Sequence, residues 1–288
     1  MNIFNHFRSG ASRSLRSWRW ILVIWSVTLF LVSMLALTMR GEMNGIFGKS
    51  MITEKLANGF NLDAIANSYS RLQIIISSFT TGFMLVILFG LLLNVFFNGG
   101  LFSVLRKADT GSMRNSFFAG AGSNFWSFLL IGILVTLMLA IVSFLLVGVP
   151  LIIRLNSASG GSSVILKVAI VIMFLLLPVF LLVADYARAW QATAEKKNAF
   201  IAIGQGFKNT FSHFFSSWLV MLILLIIQSV YTLLVLKFVG GAKPVSSGAI
   251  FLMFLLIQIL FIIRIFMRTW RYGTVSSMFA DHTNTSVQ

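Results

Sequence analysis

Six uninterrupted apolar stretches dominate this 288-residue chain, at about residues 20–38, 74–97, 125–146, 164–184, 218–236 and 249–266. Crossing a hydrocarbon layer about 30 Å thick takes about 20 helical residues, and each stretch approaches or exceeds that length. Within lipid the backbone must satisfy its own hydrogen bonds, which restricts a spanning segment to a helix or a strand of a closed barrel. These runs are apolar on every face rather than along one stripe at the 3.6-residue helical period, so a water-soluble bundle is excluded. The expected fold is an all-α polytopic membrane bundle of about six transmembrane helices. Charged residues make up 10% of the chain, against about 25% in soluble domains, which leaves little room for a soluble catalytic domain.

Charge placement orients the bundle. Fourteen Lys and Arg residues fall within 8–19, 106–114, 188–208 and 264–271, and eight fall on the alternate side within 40–71, 154–167 and 237–243. Loops rich in Lys and Arg stay in the cytoplasm, so both termini are expected there. The organisation read from this is a basic cytoplasmic N-terminus at 1–19, a membrane domain at 20–267 and a cytoplasmic tail at 268–288. The first run is too long for a cleaved signal segment and reads as an uncleaved anchor. The net charge of +15 is scattered over helix ends, which points to anionic lipid headgroups rather than nucleic acid. Of the three prolines, Pro178 lies inside the fourth run and should kink it, while Pro150 and Pro244 are expected in connections. In the first outer loop, Asn61 reads as a helix N-cap before Leu62, opening a short surface helix.

Two inner stretches carry aromatic periodicity. Phe200, Ile203, Phe207, Phe211, Phe214 and Trp218 recur at spacings of three and four, on one helical face with Lys208 and Asn209 off it. Such a face fits an interfacial helix in the headgroup layer and equally a helix packed against neighbouring spans. Phe118, Ala121, Phe125 and Phe128 repeat the pattern before the third run. A shift of 86 residues superposes Gly120 on Gly206, Phe125 on Phe211 and Phe128 on Phe214, which suggests a duplicated helix–loop–helix unit with the sixth run as a partial third.

Several short motifs, Gly99-Gly100-Leu101, Phe117-Phe118-Ala119-Gly120, Asn124-Phe125-Trp126 and Asp185-Tyr186-Ala187-Arg188, resemble a group of uncharacterised bacterial six-span membrane proteins. More distantly the layout is similar to the membrane domain associated with glycerophosphodiester phosphodiesterases. The resemblance covers most of the chain from the second run onward. It implies the fold and a bacterial inner-membrane location; the phosphodiesterase barrel is absent, so no enzymatic role carries over.

Polar groups at membrane depth are the remaining candidates for function. Asp185 follows the fourth run directly, with Arg188 at i+3 on the same face, where the pair fits a local ion pair or, alternatively, a proton-coupling site. Arg264 and Arg268 are expected to reach outward to headgroups. Asn94, Gln228 and Gln258 read as interhelical hydrogen-bonding groups, the last two facing each other, or as ligands lining a cavity near Pro178. With no cysteine and three histidines, none inside a run, the chain lacks a nucleophile–base pair. No catalytic residue, cofactor or metal site is expected. The leading expectation is a non-catalytic scaffold or accessory subunit contacting anionic lipid or a protein partner, or a second copy of itself. The alternative is a small secondary transporter or permease subunit.

Overall fold

The computed structural model describes residues 3–47, 69–106, 113–156, 163–194, 198–212, 214–242 and 246–285. The expected surface helix after Asn61 lies outside these residues, as does Pro244. Among the described residues every regular element is helical. In chain order they are α1 (Ile3–Arg16), α2 (Trp18–Phe47), α3 (Tyr69–Arg106), α4 (Met113–Ser143), a π-helical turn (Phe144–Gly148), α5 (Val149–Asn156), α6 (Ser163–Gln191), α7 (Ala199–Ser212), α8 (Phe214–Gly241) and α9 (Ser247–Thr285). Among the described residues six stretches are long and apolar enough to cross a membrane: Trp18–Thr38, Phe79–Arg106, Ser116–Leu155, Val164–Gln191, Phe214–Gly241 and Ser247–Asp281. The chain is an all-α, multi-pass bundle, as its apolar runs require.

The polypeptide divides into two compact units, residues 23–94 and residues 1–22 with 95–288. In the first, α2 and α3 meet where Gly82 faces Leu35; a Cβ on Gly82 would lie 2.8 Å from Leu35 Cδ1. Hydroxyls along both helices fold back onto their own backbone, as in Thr28 to Ile24 O and Thr81 to Ser77 O. Such bonds let a threonine sit in hydrocarbon without an outside partner.

The second unit holds the polar core. The ends of α3, α6 and α9 converge there, with Leu101, Phe102 and Leu105, then Leu182, Tyr186 and Ala187, then Tyr272, Val275 and Met278 all buried. We call this the basic end of the bundle. Three corrections to the sequence reading follow. Residues 268–285, expected as a tail, continue α9, with residues 269 and 272–279 buried. The segment 118–128 is not a separate amphipathic helix but the opening turns of α4. Pro150 lies within helix, two residues after the π-helical turn. The wider π turn, in which Val149 N–H reaches Phe144 O, changes the hydrogen-bond register just before a residue with no N–H to donate.

Helix starts with side-chain caps explain two boundaries. Asn198 Oδ1 accepts from Phe200 N and Ile201 N (3.0 and 3.3 Å), opening α7. Ser246 Oγ accepts from Ala249 N (3.2 Å), opening α9.

Candidate functional site

Three helical segments at the basic end share one construction. Along α1 and into the turn after it the buried line is His6, Gly10, Ser14 and Ser17; at the start of α4 one buried line is Ser116, Gly120, Asn124 and Ser127, beside a second of Phe117, Ala121 and Phe128; in α7 it is Ala199, Ala202, Gly206 and Thr210. The twelve residues of these three lines are small or polar, and each line has a glycine at an inner position. The glycines are there because backbone touches backbone. A Cβ would lie 2.6 Å from Thr274 N at Gly10 and 2.4 Å from Val183 O at Gly206, while at Gly120 it would meet the Ser103 side chain. Each inward stripe therefore docks on the end of a long helix: α1 on α9, α4 on α3, α7 on α6. The sequence shift of 86 aligned the second and third of these docking glycines; the structure adds the first.

Many of the large side chains face outward, whereas Phe117 and Phe128 of α4 are buried against Trp20 and Phe102. Phe4 and Leu15 on α1, Phe118 and Trp126 on α4, and Phe200, Ile201 and Phe211 on α7 are all exposed. Arg8, Arg16, Arg19 and Lys208 are exposed beside them. Of the expected aromatic residues, Phe118 and Phe211 are exposed, while Phe125, Phe207 and Phe214 are half-buried. Phe207, Phe211, Phe214 and Trp218 stack successively at centroid spacings of 6.3, 5.7 and 6.5 Å. This ladder runs from α7 onto α8, so the periodicity read from sequence is one continuous aromatic edge. At the other end of the ladder, Trp218 Nε1 donates to Leu175 O at 3.1 Å, three residues before Pro178. Pro178 has no N–H to donate to Phe174 O in that turn of α6, and the indole bonds the neighbouring carbonyl.

Beneath these segments lies a charged cluster. Asp185 is 0% exposed, and its two oxygens are divided between helices: Oδ1 takes Arg188 Nη1 at 3.1 Å, Oδ2 takes Arg271 Nε of α9 at 3.0 Å. The expected i,i+3 pair with Arg188 is present. Sequence reasoning missed Arg271, and it misassigned Arg268. That guanidinium points inward rather than to headgroups, donating to Asn98 Oδ1 of α3 at 2.6 Å and lying 5.7 Å from the Tyr272 ring. Tyr272 also faces Arg271 at 5.0 Å and Phe102 at 4.8 Å. The signal that could have found this face is the 4 and 3 spacing of Arg264, Arg268 and Arg271, one stripe on α9. Above the cluster Tyr186 Oη and Ser217 Oγ are 2.9 Å apart, tying α6 to α8.

Two more arginines close helix ends. Arg13 Nη1 donates to Leu105 O and Arg106 Nη1 to Ala189 O, at 3.4 and 3.3 Å. Both carbonyls belong to the last turns of α3 and α6, where acceptors lack intrahelical donors and the helix dipole favours a cation.

The carboxamides separate. Gln228 Nε2 donates to Met267 O at 3.1 Å, nine residues from Gln258, or about 13 Å along an α-helix. The expected Gln228–Gln258 pairing is replaced by a side-chain-to-backbone tie between α8 and α9, reinforced by Tyr231 Oη to Leu260 O at 2.5 Å. Gln258 and Asn94 are half-buried on α9 and α3. Arg264 is exposed at one end of a groove of about 190 Å³ whose walls include Val235, Leu236, Ile257 and Phe261.

Comparison with protein-family models, curated proteins and solved structures finds no match.

Proposed function

We propose that this chain is a non-catalytic scaffold or accessory subunit of a bacterial cytoplasmic membrane, with both termini cytoplasmic, held to anionic lipid headgroups by its basic end. One observation carries the reading: α1, the start of α4 and α7 are amphipathic in the inverted sense. Each buries a line of small and polar residues, in α4 beside the buried rings of Phe117 and Phe128; each turns aromatic rings outward, and α1 and α7 turn cations outward as well. A water-facing helix has no use for such a face. A helix lying in the headgroup layer gains from both parts, the rings from partial burial and the cations from anionic phosphate. Excess positive charge on the same side agrees with the orientation rule.

Transport draws less support. Gln228, the best-placed intramembrane ligand, is spent on Met267 O, and Asp185 is held by two arginines. The test compares purified protein in nanodiscs of phosphatidylcholine alone and of phosphatidylcholine with phosphatidylglycerol, reading thermal stability and lipid retention. Anionic lipid should stabilise the protein, and Phe211→Ala with Lys208→Gln should weaken that preference while leaving the fold intact. Equal behaviour in both lipids, or substrate-dependent flux abolished by Gln228→Leu, would reject the scaffold reading.

A further inference from the structure

One cation stands outside the charged cluster. Arg271 meets Asp185 at 3.0 Å, at the level where the fourth apolar run ends. Arg264 precedes Arg271 by seven residues on the same helix, which places it about 10 Å deeper along the axis. Ser247, the first residue of α9, is seventeen residues away on the other side, or about 25 Å. At this depth Arg264 is exposed, and no described residue forms a hydrogen bond or ion pair with its guanidinium. The Cα–Cβ bond of a helical residue leans towards the N-terminus. Accordingly the side chain lines the groove between α8 and α9 with Ile257 and Phe261, on the side away from the basic end. Tyr231 brings an oxygen to the same groove but no negative charge, and its hydroxyl proton goes to Leu260 O. Val235 and Leu236 give the α8 wall an apolar surface.

A cation facing hydrocarbon is costly, and ionisable groups at such depth are found paired. This chain offers Arg264 no carboxylate, because all seven of its Asp and Glu residues lie outside the six apolar runs. A second copy is excluded as the source for the same reason. Phospholipid headgroups lie beyond the hydrocarbon boundary, in the direction opposite to the one in which the side chain leans. We infer that the α8–α9 groove docks a transmembrane helix of another protein, whose apolar span carries a carboxylate for Arg264. A helix is the element that can carry such a group into the bilayer with its backbone satisfied. The carboxylate matches the guanidinium fork in charge and in two-point geometry, while the groove walls receive the apolar side chains beside it. This deepens the accessory-subunit reading above by giving the partner a chemistry, and it rests on the spanning fold rather than on the basic end.

The test uses a defined helix. The full chain is placed in phosphatidylcholine vesicles with a synthetic leucine–alanine transmembrane peptide bearing one central Glu. Association is read by energy transfer from a dye on Lys237→Cys, the only thiol in a chain without native cysteine. The Glu peptide should associate about tenfold more tightly than its Gln counterpart, the order of one strong polar contact between helices in a membrane. Arg264→Gln should remove that advantage. Arg264→Glu should reverse it in favour of a peptide with a central Lys, a gain that a misfolded chain would not show. Leu236→Trp keeps the cation and fills the groove, so it should weaken both peptides; unchanged affinity would place the peptide elsewhere and overturn the groove. A Glu moved to the end of the peptide should bind no better than Gln. If it binds as well as the central Glu, Arg264 reaches the headgroup layer and the inference is overturned. It is overturned also if phosphatidylglycerol displaces the Glu peptide, which makes lipid the occupant, or if labelled chains pair through Arg264 without peptide, which makes it a second copy. The nanodisc comparison above reports the basic end through Lys208 and Phe211, so either reading can fail while the other stands.

Discussion

Asp185 Oδ2 and Arg271 Nε lie 3.0 Å apart across the α6–α9 contact, whereas Arg188 reaches the same carboxylate from its own helix. The two contacts have different consequences. The Arg188 hydrogen bond organises side chains within α6; the Arg271 contact is an ion pair without hydrogen-bond alignment, and it joins two long helices at a position from which water is largely excluded. Removing one partner of a buried pair costs about 3–5 kcal/mol, because the other charge is stranded. In phosphatidylcholine discs, Asp185→Asn is expected to lower stability by that order. A double-mutant cycle should give a larger coupling for Asp185 with Arg271 than with Arg188. Equal couplings would mean that the interhelical ion pair has no special weight.

The glycine stripe makes a paired prediction on α7. At Gly206 a Cβ would lie 2.4 Å from Val183 O, a backbone atom that cannot rotate away, while at Gly204 nothing lies within 4 Å. Gly206→Ala should therefore cost about 1–3 kcal/mol by overpacking. Gly204→Ala should be neutral or stabilising by up to about 1 kcal/mol through helix propensity. Thermal unfolding in detergent distinguishes them, and an equal effect at both positions would show that α7 does not dock through Gly206.

What could be read from sequence follows what is local. The six spans were legible because hydrocarbon thickness and backbone hydrogen bonding act on one helix at a time. The Asp185–Arg188 pair was legible because three residues along a helix fix a face. Arg271 was not, since its partner depends on the axial register of α9 against α6, and that register is set by many contacts at once. The aromatic period of α7 was plain, but not which face turns inward: hydrophobic bulk argues for burying the phenylalanines, and the outcome is decided by the close backbone approach that Ala202, Gly206 and Thr210 permit. Gln228 illustrates the same limit. A carboxamide in a span must find a partner, yet the sequence offered only Gln258, and the partner used is a carbonyl of Met267.

Trp218 offers a test of the proline turn in α6. Its indole donates to Leu175 O, next to Phe174 O, the carbonyl that Pro178 leaves without its usual helical donor. Trp218→Phe keeps the ring stack and removes the donor, so it should cost about 1 kcal/mol. In a Pro178→Ala background, where the helix regains its N–H and the turn closes, the same change should cost less. A penalty unaffected by the background would detach the indole bond from the proline.

His6 predicts a pH dependence for the docking of α1. Its ring is buried against α9, with Nδ1 3.2 Å from Ser277 Oγ and Nε2 3.7 Å from Asp281 Oδ2. Ser277 already donates its hydroxyl proton to Thr274 O at 2.8 Å, so the neutral ring serves it best by donating from Nδ1. Burial holds the His6 pKa below its ordinary value of 6.5, and the Asp281 carboxylate, which is mostly exposed, offsets this only in part. The undocked segment therefore binds a proton more readily than the docked one. The histidine's contribution to docking is complete above about pH 6.5 and is lost as pH falls through the depressed docked value. The absence of cysteine from the chain makes this measurable with one engineered thiol. Thr274→Cys, covered by Gly10 of α1, should become reactive below pH 6.5 relative to Ser12→Cys on the exposed face of the same helix. His6→Gln, which cannot charge, should flatten the profile; an unchanged profile would assign the acid sensitivity to another group.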